Sequence, residues 1–123
     1  MAQERLLPAG VTAWVLGSGA AGHEVQCVGV ARALGLEPVV KAVRPRALFR
    51  ALSPMGPVDF RDSPRRAGSL LAPPFPDIAI AAGRVTIPYL RALKRASGGA
   101  VFTVCLQDPR TGAGTADVIW VQE

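Results

Sequence analysis

The sequence predicts an α/β domain: a three-layer, mostly parallel sheet in the strand order 2-1-3-4-5. Three observations lead there. Residues 11–34 read as an apolar strand, a glycine-rich turn and a helix. After them, short apolar runs alternate with helical patterns, the sign of a parallel sheet with helices on both faces. Half of the 123 residues are hydrophobic, with Ala, Val and Leu dominant and few aromatics. That composition suits close packing of helices on a sheet, in a single domain over residues 1–123.

Each element follows from local signals. Residues 1–10 form a leader ending in Pro8-Ala9-Gly10. Residues 11–16 are apolar on both faces, as a central parallel strand should be. Gly17-Ser18-Gly19-Ala20-Ala21-Gly22 turns the chain into a helix over 23–34, with Val25, Val28, Val30, Ala31 and Leu34 along one broad face. Gly35 stands where a helix-ending glycine belongs. Residues 37–43 are a second strand, and Pro38 sits at its start, where a missing N–H is tolerated.

Prolines at 54, 57, 64, 73, 74 and 76 forbid long elements in residues 44–76. This stretch reads as a crossover of short helical turns, 47–52 and 65–71, lying over one sheet edge. Residues 78–82 are a third buried strand, closed by Gly83-Arg84. Thr86 is the expected N-cap of a helix over 87–96, with Pro88 in its first turn. Leu90, Leu93 and Ala96 should face inward, and Arg91, Lys94 and Arg95 outward. Ser97-Gly98-Gly99 ends that helix. Residues 100–106 form a fourth, buried strand, Gln107-Asp108-Pro109-Arg110 turns sharply, and residues 117–121 form a fifth strand. The sequence stops at Glu123 directly after this apolar strand, with no helix to cover it. The expectation is the first half of a two-lobed protein.

Charge and cysteine usage narrow the function classes. Fourteen Lys and Arg against nine Asp and Glu give a net charge of +5. Six of the arginines (44, 46, 50, 61, 65 and 66) crowd into one stretch. A solvated basic surface explains this, and so does an anionic partner: a nucleotide, a phosphorylated sugar or lipid, or an acidic membrane face. No nucleic-acid partner is expected, because the basic residues are not interleaved with aromatics and no nucleic-acid motif is present. Cys27 and Cys105 read as small buried hydrophobes in a reducing compartment. Two thiols and the lone His23 do not make a zinc site, so no metal is expected. Met1-Ala2-Gln3-Glu4-Arg5 lacks a signal-peptide core, and no apolar run reaches membrane-spanning length. These features point to the cytoplasm, with contact at a membrane surface left open.

The site follows from topology. In the order 2-1-3-4-5 the sheet reverses direction between strands one and three, and open α/β sheets bind ligands in that crevice, at the carboxyl ends of the strands. Three loops converge there: residues 17–22, Gly83-Arg84 and residues 107–110. Gly17, Gly19 and Gly22 fit G-x-G-x-x-G between strand and helix, where free N–H groups and the helix dipole favour a phosphate. A purely structural tight turn fits the same residues. The dinucleotide fingerprint also wants an acidic residue after the second strand. Lys41-Ala42-Val43-Arg44 stands there instead, which suits the extra phosphate of NADP.

Ser18 and Gln26 join the glycines as ligand contacts. His23 can donate to a ligand or act as a base, and Glu24 favours the helix dipole or serves as a catalytic carboxylate. Gly83 lets backbone approach a ligand, and Arg84 offers a planar fork for phosphate or carboxylate. Gln107 and Arg110 close the rim. Asp108 can orient Arg84 or Arg110, or accept from a sugar hydroxyl. No second carboxylate is placed to make a glycosidase-type pair. The catalytic candidates are therefore His23, Glu24 and Asp108.

The order of Trp14-Val15-Leu16, residues 17–22, His23-Glu24-Val25-Gln26, Ala33-Leu34-Gly35-Leu36, Val43-Arg44-Pro45-Arg46, Pro76-Asp77, Gly83-Arg84 and Gln107-Asp108-Pro109-Arg110 resembles the mitochondrial fission elongated-mitochondria family. The likeness covers nearly the whole chain, most specifically G-x-x-x-x-G-x-E-x-Q and Gln-Asp-Pro-Arg. Bacterial members are often labelled predicted nucleoside-diphosphate-sugar epimerases. The resemblance implies a Rossmann-like N-terminal lobe of a GT-B-type, glycosyltransferase-like protein, an architecture in which the N-terminal lobe usually receives the acceptor and a C-terminal lobe, expected beyond this sequence, usually holds the nucleotide-sugar. It also carries two alternatives. An NADP-dependent epimerase or reductase would typically use Tyr-x-x-x-Lys, but Leu93 follows Tyr89 at that spacing and Lys94 comes one place late. A non-catalytic adaptor is the other, since a plant-type relative recruits a fission protein at mitochondria; residues 44–66 would be its face.

Overall fold

The computed structural model describes residues 10–19, 21–53, 55–106 and 116–119. Five strands form one parallel sheet in the order β2-β1-β3-β4-β5. They are β1 (Ala13–Gly17), β2 (Val39–Ala42), β3 (Ile78–Ala81), β4 (Phe102–Cys105) and β5 (Val118–Ile119). The helices are α1 (Ala21–Ala33), α2 (Ala47–Leu52) and α3 (Ile87–Ala96), with 3-10 turns at Phe60–Asp62 and Arg84–Thr86. The predicted fold class and strand order are those of the structure.

Alternation along the central strands divides the core in two. Ala13, Val15, Ile78 and Ile80 pack with Cys27 and Ala31 of α1. Trp14, Leu16, Ala79 and Ala81 pack with Ile87, Leu90 and Leu93 of α3. Neighbouring residues of a strand point to opposite faces, so α1 and α3 cover opposite sides of the sheet. The register is continuous across the middle: Val15 lies opposite Val40 on one side and Ile80 on the other, and Ile80 opposite Val104.

Several local expectations change. Among the described side chains of α1, Cys27 and Ala31 are buried and Val28 and Val30 partly covered, as is Leu34 just after it, while Val25 is 71% exposed. The helix starts two residues earlier than predicted, at Ala21. Its sheet-facing stripe is made of small residues because small side chains let the helix sit close to β1 and β3. Gly35 ends it as expected, at φ 83°, with the Leu36 N–H donating to the Ala31 carbonyl. The second strand shrinks to an edge of four residues, with Val39 and Val40 exposed.

Helix α2 keeps its predicted bounds, but residues 65–71 form successive turns rather than a helix. Thr86 does not cap α3. Its hydroxyl donates backwards to the Gly83 carbonyl, and no side-chain bond caps the helix start. Ala96 is exposed, while Ile87 and Tyr89 join Leu90 and Leu93 in the interior. Phe102, at the head of the fourth strand, is exposed as well. Among the described residues, no helix is long and apolar enough to cross a membrane.

Candidate functional site

The crevice between β1 and β3 opens at their carboxyl ends. Gly17 closes β1, Ser18 and Gly19 follow it, and α1 begins at Ala21. On the other side Gly83 follows β3 with φ 105° and ψ 143°, a conformation open to glycine and little else. Gly83 also has no room for a side chain. A Cβ there would stand 2.8 Å from Ser18 Oγ and 3.1 Å from His23 Nδ1. Ser18 Oγ and His23 Nδ1 are 3.4 Å apart. The first two predicted loops therefore meet, and a hydroxyl and an imidazole stand together against the backbone of the third strand's exit.

Gly17 has a different reason for being glycine. A Cβ on it would lie 2.8 Å from Glu24 Oε2, so the Glu24 carboxylate folds back over the end of β1. Gly19 has φ 88° and open space around it, so the need there is conformational. Gly22 is exposed and has nothing within 4 Å of its Cβ direction. In the dinucleotide fingerprint the third glycine serves close helix–strand packing, and Gly22 has no such contact. Gln26 is half-buried one turn further along α1.

Arg84 is only partly available to a ligand. Its NH1 donates to the Arg50 carbonyl at 2.8 Å and the Ser53 carbonyl at 2.6 Å. The carbonyls at the end of a helix carry partial negative charge, so a guanidinium is a fitting partner even at Arg50, whose carbonyl also accepts from the Ser53 N–H. Arg84 thus ties the β3 exit to the end of α2. Gln107, Asp108 and Arg110, the third predicted loop, lie outside the described residues.

The basic stretch is organised by one carboxylate that the sequence did not single out. The Asp59 side chain is fully buried. It accepts from the Arg46 backbone N–H at 2.8 Å, from the Arg46 guanidinium at 2.8 Å, and from the Arg61 backbone N–H at 3.2 Å. The Arg46 guanidinium and these amides hold the Asp59 carboxyl far below the usual carboxylate range, against the opposing effect of burial. Two of the six arginines are therefore structural. Arg61 also donates to the Arg44 carbonyl, and Arg46 lies over the Phe49 ring.

The residues nearest a Tyr-x-x-x-Lys pair are engaged elsewhere. Tyr89 is buried, its hydroxyl is bound by Asp62, and burial pushes its ionisation upward. A tyrosine that must act as a proton shuttle needs the opposite shift. Lys94 Nζ donates to the Val101 carbonyl at 2.9 Å and to Asp117 at 2.6 Å. Lys41, near the predicted NADP position, stacks 4.5 Å above the Trp14 ring. Among the described residues, no three His, Cys, Asp or Glu side chains gather as a metal site would need.

The family model described as Mitochondrial fission ELM1 matches residues 21–123. The match spans most of the sequence, and the chain belongs to this family. No curated protein matches it, and no solved structure does. The match opens at the first residue of α1, so Gly22, His23, Glu24, Gln26, Gly83 and Arg84 fall inside it, and Gly17, Ser18 and Gly19 precede it.

Proposed function

We propose that this chain is the Rossmann-like N-terminal lobe of a glycosyltransferase-like protein, and that it holds a phosphate-bearing ligand in the crevice between β1 and β3. The single observation behind this reading is the approach of Ser18 and His23 to a side-chain-free Gly83. A hydroxyl, an imidazole and the opening turn of a helix then share one wall of the notch where open α/β sheets take ligands. In this reading Ser18 and the first N–H groups of α1 bind phosphate oxygens. His23 and Gln26 hydrogen-bond the sugar or ester part, and Arg84 adds positive charge from the crevice edge while keeping its hold on α2. Gln107 and Arg110, which follow the fourth strand in sequence, would add further polar contacts to the ligand. Nucleotide-sugars and sugar or lipid phosphates are the ligand class. Glycosyl transfer needs a second lobe to bring the other substrate, with His23, Glu24 or Asp108 as the acid or base.

The test is calorimetric titration of the full-length protein with a uridine-diphosphate sugar, a guanosine-diphosphate sugar and, separately, NADPH. Binding of a sugar nucleotide that falls at least tenfold in Ser18→Ala supports the reading. Tight binding of NADPH alone would favour a nicotinamide-dependent epimerase or reductase.

A second reading rests on the surface of residues 44–66. Leu48 and Leu52, one turn apart on α2, are 66% and 46% exposed, and Arg44, Arg50 and Arg66 of the same stretch are exposed as well. Apolar side chains among arginines suit an acidic protein partner, as an adaptor would have. Absence of any small-ligand binding, together with partner capture lost on Leu48→Ser, would favour this interaction role.

A further inference from the structure

A cavity of about 700 Å³ lies on the α3 side of the molecule, apart from the crevice. One wall is a face of α3 bearing Pro88, Arg91, Ala92 and Arg95. The other is the chain from Met55 to Arg65, with Phe75 at one end. The volume falls in the range of ordinary small-molecule sites. Its lining joins two chemistries. Met55, Val58, Phe60 and Phe75 supply apolar and aromatic surface, and Arg65, Arg91 and Arg95 supply three guanidiniums; among the described residues no Asp or Glu lines it.

The walls are fixed before any ligand arrives. Gly56 donates its N–H to the Leu52 carbonyl at 2.8 Å, and a Cβ on Gly56 would stand 2.5 Å from Leu52 Cβ. That close approach pins the outer wall to the end of α2. Across the cavity Arg91 NH2 donates to the Gly56 carbonyl at 3.0 Å, which sets the guanidinium's direction. Arg91 and Arg95 are one helical turn apart and share a face. Burial, and then the charge of Arg95, both disfavour the charged form of Arg91, the situation an anion relieves.

We propose that this cavity binds a small amphiphilic phosphate: an apolar or aromatic body carrying a phosphate monoester. The apolar surface takes the body, and the arginines take the head. A phosphate monoester carries close to two negative charges at neutral pH and three acceptor oxygens, a better match to three guanidiniums than a single carboxylate. A bare inorganic anion would leave Met55, Val58 and the two phenylalanines uncovered.

The probe is decyl phosphate below its micellar concentration, titrated calorimetrically into the full chain beside inorganic phosphate and decanol. Decyl phosphate should bind at least tenfold more tightly than either control. The rim variant Arg65→Gln/Arg95→Gln should lose at least tenfold in affinity, with its circular dichroism unchanged. The same rim variant made on a Ser18→Ala background, which weakens any binding in the crevice, should lose at least tenfold as well. Equal binding of inorganic phosphate, or an unchanged affinity in the rim variant on either background, would overturn the proposal. So would binding to phosphate-bearing vesicles without binding to the monomeric ester.

Discussion

The carboxylate of Asp77 holds Thr12 by two atoms: Oδ2 accepts from the Thr12 backbone N–H at 2.9 Å and from its hydroxyl at 3.2 Å. The Asp77 N–H donates back to Thr12 Oγ1. The same device recurs at Asp117 and Thr103, with Oδ2 accepting from the Thr103 N–H at 2.9 Å and the hydroxyl at 3.2 Å, and with Lys94 added. In each case an aspartate just before one strand grips a threonine beside the next, so the amino ends of the sheet are sewn together in pairs. Asp77→Ala should lower stability by about 1–2 kcal/mol through loss of charge-assisted bonds. In Asp117→Ala the Thr103 amide should exchange with solvent faster while Val15 keeps its protection. Urea unfolding and amide hydrogen exchange read the two effects.

Gly83→Ala should be costly for two reasons that add. The backbone is in a region that L residues avoid, and the new methyl group would press on Ser18 and His23. About 1–3 kcal/mol is the usual cost of such backbone strain, a fall in Tm of about 5–15 °C for a domain of this size. Gly19→Ala meets the conformational cost without the collision, so it should be milder. Thermal melts of the pair separate the two causes.

Acid should weaken the fold through Asp59. Its carboxyl ionises far more readily in the folded chain than its ordinary value of 3.8. A group with a lowered folded-state pKa contributes stability above its unfolded-state pKa, and that contribution is lost as pH falls through the folded value. Asp59→Asn should therefore be clearly less stable than the parent at pH 7. The gap should narrow steadily below about pH 4, where the unfolded carboxyl takes up its proton. Urea midpoints from pH 7 to pH 3 give the comparison, and a gap independent of pH would contradict it.

The two thiols should be silent in the native protein. Cys27 and Cys105 are buried and not joined in a disulfide, and burial, with smaller contributions from Cys105 and Glu24, pushes the Cys27 thiol up to about 12. The thiolate is the reactive form, so almost none of it exists at pH 8. An aromatic disulfide reagent should titrate no thiol in the folded chain at pH 8 and both in urea, at a rate limited by unfolding.

Much of the architecture was legible along the chain. Apolar runs of four to six residues, separated by Gly and Pro, mark strands and turns through local sterics alone. The right-handed crossover rule then orders the strands without any side-chain detail. Gly35, Pro38 and Pro88 announced their positions because each acts on its own backbone. The convergence of residues 17–22 with Gly83 followed from topology, since both loops leave the carboxyl ends of adjacent strands.

Tertiary contact decided what each side chain does once it is there. Nothing near Arg84 in sequence says that its guanidinium will bind carbonyls 31 and 34 residues away. Nor does anything mark Asp59, rather than its neighbour Asp62, as the carboxylate around which Arg46 and Arg61 are set. Val25 and Ala96 turned outward because burial on a helix depends on where the sheet lies, not on hydrophobicity alone. The sequence by itself determined the backbone path, because steric preferences and apolar periodicity act over a few residues. The partners of the charged and polar groups were settled only by folding, because those bonds join segments that the chain brings together last in sequence and first in space.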